Sequence, residues 1–119
     1  MIEDQWPDWE IYIQGKCKCV YCNLDGTRFE AWRHLQIDHL IPQWAGGANV
    51  PQNKVVSCCR CNLLKQGFDP SNGSCKVPSS DQHKKELISI AKDHLNKIII
   101  KEREHFDAMM KVVGKVKVS

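Results

Sequence analysis

Two C-x2-C pairs, Cys19-Val-Tyr-Cys22 and Cys58-Cys-Arg-Cys61, bracket 35 intervening residues and constrain this chain more than any hydrophobic pattern in it. Each spacing lets two thiolates bite one ion. Two such knuckles complete a tetrahedral four-sulfur shell, the donor set and geometry that suit Zn²⁺. A shell of four thiolates leaves no position for substrate, so the ion is expected to be structural. Its binding free energy, on the order of 10–16 kcal/mol apparent in small zinc peptides, matters here, because a core drawn from the first 75 or so residues would be marginal without a staple. Buried free cysteines or disulfides are the competing reading, and the paired spacing disfavours it. Cys17 and Cys59 lie beside the knuckles and leave some slack in the ligand choice, although Cys17-x-Cys19 is too tight for the usual loop. Cys75 falls in a Pro/Ser/Gly-rich stretch and is expected to stay a free thiol.

Cysteine usage also bears on compartment. Seven cysteines is an odd count, whereas a secreted disulfide framework usually shows an even one behind a signal peptide. The N-terminus, MIEDQWPDWE, is acidic and carries no apolar h-region. No apolar run approaches the roughly 20 residues of a membrane-spanning helix. A cytoplasmic protein in a reducing environment, without a membrane partner, is the expectation. The net charge of +3 is uneven: residues 1–33 carry a balance of −2 and residues 92–119 a balance of +3. That C-terminal excess favours phosphate backbones but falls far short of a basic nucleic-acid arm.

The apolar pattern predicts few elements. Trp6, Trp9 and Ile13 lie at helical spacing with Pro7 near the start, which predicts an N-terminal helix over 6–14 with these three as its packing face. Residues 34–41, HLQIDHLI, read as a strand that places Leu35, Ile37 and His39 on one face and Gln36, Asp38 and Leu40 on the other. A loop with Gly46-Gly47 follows, then a brief strand in KVVS, then a turn into a short helix that Gly67 ends. Residues 69–80 read as a linker or wrapping loop. From 81 to about 113, Leu87, Ile90, Ala91, His94, Leu95 and Ile98 mark one helical face, continued by Phe106, Met109 and Met110, with a possible break near 99–105. His94, on that apolar face, is expected to be a core or interface histidine.

Within residues 17–67 the remaining polar residues fall in a particular order: Asp38-His39, Gly46-Gly47, Asn53, then Cys58-x-x-Cys61-Asn62-Leu-Leu-Lys65. This order resembles the HNH nucleases, the zinc-stapled branch of the ββα-metal endonucleases. In that family an acid-His pair ends a strand, a Gly-containing loop leads to an Asn that begins the return strand, and a CxxC enters a helix bearing His or Asn. The third position here is Asn, a variation within the family. The match covers somewhat under half the chain. It implies an α+β fold: a small ββα-metal core over about 17–67, stapled by the cysteines, with an N-terminal helix and a long C-terminal extension, the whole of 1–119 forming one nuclease domain.

The implied chemistry suits the residues. Phosphodiester hydrolysis needs a base for water and a cation to stabilise the extra charge on the phosphorus oxygens. Histidine's ordinary pKa, about 6.5, supplies a neutral imidazole at pH 7–8, which suits His39 as general base. Asp38 and the side-chain oxygen of Asn62 suit Mg²⁺ or Mn²⁺, since hard cations prefer oxygen. By the resemblance Asn53 fixes the loop backbone behind the imidazole, and Lys65 and Arg60 are candidate phosphate contacts. Taken singly, each of these residues is more often a turn, cap or solvated side chain than a functional one; the joint pattern between zinc knuckles carries the reading. The expected function is a metal-dependent DNA endonuclease that nicks one strand at a time, as a monomer, with room for a targeting protein partner. The alternative is a non-catalytic zinc-ribbon module that binds nucleic acid or protein. Such a module needs only the cysteines and has no use for Asp38, His39 and Asn62 together.

Overall fold

The computed structural model describes residues 8–116 and is an α+β structure built on a two-stranded antiparallel sheet. Strands β1 (Leu35–His39) and β2 (Lys54–Cys58) pair in the register Leu35 with Cys58, Ile37 with Val56 and His39 with Lys54. That register sets the two chemistry-bearing ends of the sheet. Asp38-His39 closes one end, and the second cysteine knuckle opens from the other.

Helix α1 (Trp9–Gln14) precedes the sheet and docks on β2 through Ile11, which is buried. This corrects the packing face read from the sequence: Trp9 is 43% and Ile13 67% exposed, while Trp6 lies outside the described residues. A helix of six residues presents only one or two side chains to a sheet, and Ile11 takes that place. The first knuckle follows, tied to the sheet by a backbone hydrogen bond from Val20 N–H to Val56 O of 2.9 Å. A one-turn helix α2 (Phe29–Trp32), with no counterpart among the sequence expectations, leads into β1.

Helix α3 (Cys59–Lys65) starts directly from β2. Cys58 serves as its N-cap, its Sγ accepting from Cys61 N–H at 3.4 Å. Gln66 (φ 47°) and Gly67 (φ 72°) then take left-handed conformations that end it. Strand, strand and helix thus form a ββα unit around the cysteines.

Helix α4 (Asp81–Val116) is continuous through 99–105, so the possible break there does not occur. Ser80 caps it, accepting from His83 N–H through Oγ at 3.0 Å. Leu87, Ala91 and Leu95, each four residues apart, are buried and pack with Leu40, Ile41, Val55 and Val56 in the core. His94 stacks on Phe68, ring centroids 3.9 Å apart, as an interface histidine between α4 and the segment that leaves α3. Every residue from 101 to 115 is exposed, Phe106, Met109 and Met110 among them. No helix among the described residues is long and apolar enough to cross a membrane.

Candidate functional site

The four knuckle cysteines converge: the sulfurs of Cys19, Cys22, Cys58 and Cys61 all lie within 4.8 Å of one another. Cys22 and Cys58 sulfurs are 3.7 Å apart, close to the roughly 3.8 Å that a tetrahedron of 2.3 Å Zn–S bonds requires. Cys17 and Cys59 are excluded from the cluster. The Cys17 thiol donates to Gly26 O at 3.3 Å, and Cys59 is exposed beside His34 Nδ1 at 3.9 Å. Hydrogen bonding from the Cys61 thiol holds Cys19 down to about 4, and that same bond together with burial pushes the Cys61 thiol far up. Burial raises Cys58 as well. Sulfurs this close must share protons when nothing else compensates their charge, and a divalent soft cation is the natural replacement for those protons. The donor set fits zinc.

At the far end of β1, successive strand residues face opposite ways and each is met by a different element. Asp38 faces α3. Its Oδ2 accepts from the Lys65 ammonium at 2.8 Å and from the Tyr21 hydroxyl at 3.1 Å. His39 faces the loop that follows, with Nε2 3.0 Å from Asn49 Oδ1. An amide oxygen only accepts, so this contact places the imidazole proton on Nε2 and leaves the Nδ1 lone pair free.

Asn53 is wholly buried behind them. Its Oδ1 accepts from Ile41 N–H at 2.8 Å, and its Nδ2 donates to Ile41 O at 2.9 Å and Ala48 O at 3.0 Å. One amide therefore clasps both ends of the 41–48 loop. Gly46 enters the left-handed region there (φ 87°), and a Cβ on Gly47 would run into the Ile41 carbonyl, so the two glycines answer to the same tight path.

Asn62 is half-buried on α3, one residue past Cys61 of the sulfur cluster and three before Lys65. That spacing puts Asn62 and Lys65 on neighbouring positions of one helix face. Arg60 is exposed. Lys65 departs from the expectation of a phosphate contact. Its side chain is 2% exposed, and its ammonium donates to Asp38, to His39 O at 2.9 Å and to Leu40 O at 3.1 Å, which spends all three of its protons inside the protein.

Two residues at the site escaped the sequence reading, Asn49 and Tyr21. Nothing marks Asn49 in a polar loop. Tyr21 did carry a signal, since an aromatic hydroxyl inside a closed CxxC turn is buried and must find a partner. Burial, and then the Asp38 charge, push its phenol well above the ordinary value, so it remains a donor at neutral pH.

Residues 19–67 match the family model described as HNH endonuclease. The chain is also similar to the CRISPR-associated endonuclease Cas9 of Actinomyces naeslundii, 34% identical over 71 residues. That likeness covers 57% of this chain and 6% of the relative's length. No solved structure matches the chain significantly.

Proposed function

We propose, from the match of residues 19–67 to the HNH endonuclease model, that this chain is a metal-dependent DNA endonuclease that hydrolyses phosphodiester bonds and nicks one strand at a time. The observation that carries the reading is the end of β1. There a carboxylate held by one oxygen sits beside an imidazole whose proton is fixed on the nitrogen away from its free lone pair. His39 Nδ1 takes the proton from the attacking water, and Asn49 stabilises the imidazolium that forms by accepting from Nε2. Asn53 keeps the loop in the shape that presents Asn49. Asp38, through Oδ1, and the Asn62 side-chain oxygen would hold Mg²⁺ or Mn²⁺, their hard oxygen donors matching those ions. A divalent cation there supplies charge stabilisation for the phosphoryl oxygens as the bond breaks. Arg60, exposed on α3, is the remaining candidate for a backbone phosphate.

The relative's description as a CRISPR-associated endonuclease supports cleavage chemistry in the shared segment. Because the chain spans so little of that relative, a targeting partner is a proposal of its own. A plasmid-cleavage assay with Mg²⁺, Mn²⁺ and brief EDTA arms tests the reading. Open circles should form with either metal and not with EDTA. A His39→Ala protein should retain its zinc and bind DNA while losing about 10²–10⁴-fold in rate. A folded His39→Ala protein that cleaves like the wild type would overturn the assignment.

A further inference from the structure

The two donors on Asp38 come from the two halves of the zinc site. Tyr21 lies inside the first knuckle, between Cys19 and Cys22, and is 3% exposed. Lys65 lies on the helix that the second knuckle begins, one turn past Cys61, and is equally buried. Both reach the same oxygen, Oδ2, at 3.1 and 2.8 Å. Ordinary placement of an aspartate at a strand end does not require two buried donors converging on one oxygen from separate elements. Two donors on Oδ2 fix the carboxylate's rotation and turn Oδ1 outward. We infer that Tyr21 is a positioning residue for the reaction: with Lys65 it locks Asp38 so that Oδ1 alone is offered to the catalytic divalent ion, and it links the zinc knuckle to that ion. The inference rests on the nuclease reading above, with Asp38 as a cation ligand.

Outer partners of metal-binding carboxylates typically change metal affinity or activity by on the order of tenfold or more when removed. Tyr21→Phe removes one oxygen and keeps the buried ring, so the fold and the zinc staple are expected to persist. The experiment uses the zinc-loaded full chain and measures Mn²⁺ binding directly by electron paramagnetic resonance, with zinc content and thermal midpoint alongside. Tyr21→Phe should keep one zinc per chain and weaken Mn²⁺ binding by on the order of tenfold. The same substitution added to Asp38→Asn should weaken it no further, because its effect runs through the carboxylate. Wild-type Mn²⁺ affinity in a folded Tyr21→Phe protein overturns the inference, as does an equal loss in the presence and absence of Asp38. If Asp38→Asn itself leaves Mn²⁺ binding unchanged, the cation-ligand reading has failed, and the positioning role falls with it for that separate reason.

Discussion

At the scale of single residues, the two basic side chains of α3 have opposite fates, and this divides their expected effects. Lys65 is buried in an ion pair with Asp38 and also serves two backbone carbonyls. Lys65→Met leaves the half-buried Asp38 carboxylate with Tyr21 as its one remaining donor and takes the ammonium from both carbonyls. It should destabilise the domain by about 3–5 kcal/mol, measured by denaturant unfolding. Arg60→Ala, at an exposed position, should change stability by no more than about 0.5 kcal/mol; its effect should appear as weaker, less salt-sensitive DNA binding. Sequence alone could not separate the pair. Both are cations on a short helix near an Asn, and what distinguishes Lys65 is the approach of His39 O and Leu40 O from a strand end 26 and 25 residues away. Asn53 was legible as a residue that holds the loop, and its three bonds show how. Asn53→Ala should cost about 3 kcal/mol and reduce cleavage with it, since the loop that presents Asn49 would lose its clasp.

At the scale of elements, the cysteine knuckles are expected to decide whether the ββα unit exists at all. The strands are five residues each and the helix seven, lengths that do not stand alone in water. Cys58 is at once the last residue of β2, the N-cap of α3 and a member of the sulfur cluster. Cys58→Ser should therefore give unfolded or insoluble protein rather than a soluble, inactive one. Elemental analysis of wild-type protein purified without chelator should find about one zinc per chain, as four thiolates complete one tetrahedral shell. The knuckles, both strands and the helix between Cys58 and Gly67 were legible because each has punctuation: paired cysteines, alternating apolar residues, terminal glycines. The face of α1 was not. A helix of a turn and a half has no periodicity to read, and burial there was settled by which side chain β2 could reach. Helix α2 left even less trace, four residues with none buried.

The whole molecule is longer than its core requires. Its radius of gyration is 16.8 Å, against about 13.5 Å for a compact chain of this length. Its longest dimension, 55 Å, is close to the roughly 54 Å that 36 helical residues span at 1.5 Å each. The length is that of α4. Leu87, Ala91 and Leu95 anchor its first half in the core, while 101–115 contribute no buried side chain. The helical stripe was legible through this region, but a stripe records amphipathicity and not whether a partner surface reaches it. Trp9, the large apolar side chain that α1 offers, is itself exposed. Cutting the chain after Ile100 should therefore keep the zinc and leave stability within about 0.5 kcal/mol of the full chain, read from thermal unfolding. The cut also tests the proposed single-strand cleavage at the level of assembly. Phe106, Met109, Met110 and Val113 share one exposed face of α4, a stripe of about two turns that is short against the three or four heptads of a coiled-coil seam. Light scattering of the full chain should give a mass near 13.7 kDa. One site per molecule then meets one strand per encounter, and supercoiled plasmid should pass through open circles before linear DNA accumulates. A dimer mass that disappears on truncation, together with direct linearisation by the full chain, would assign the overhang to pairing two sites instead.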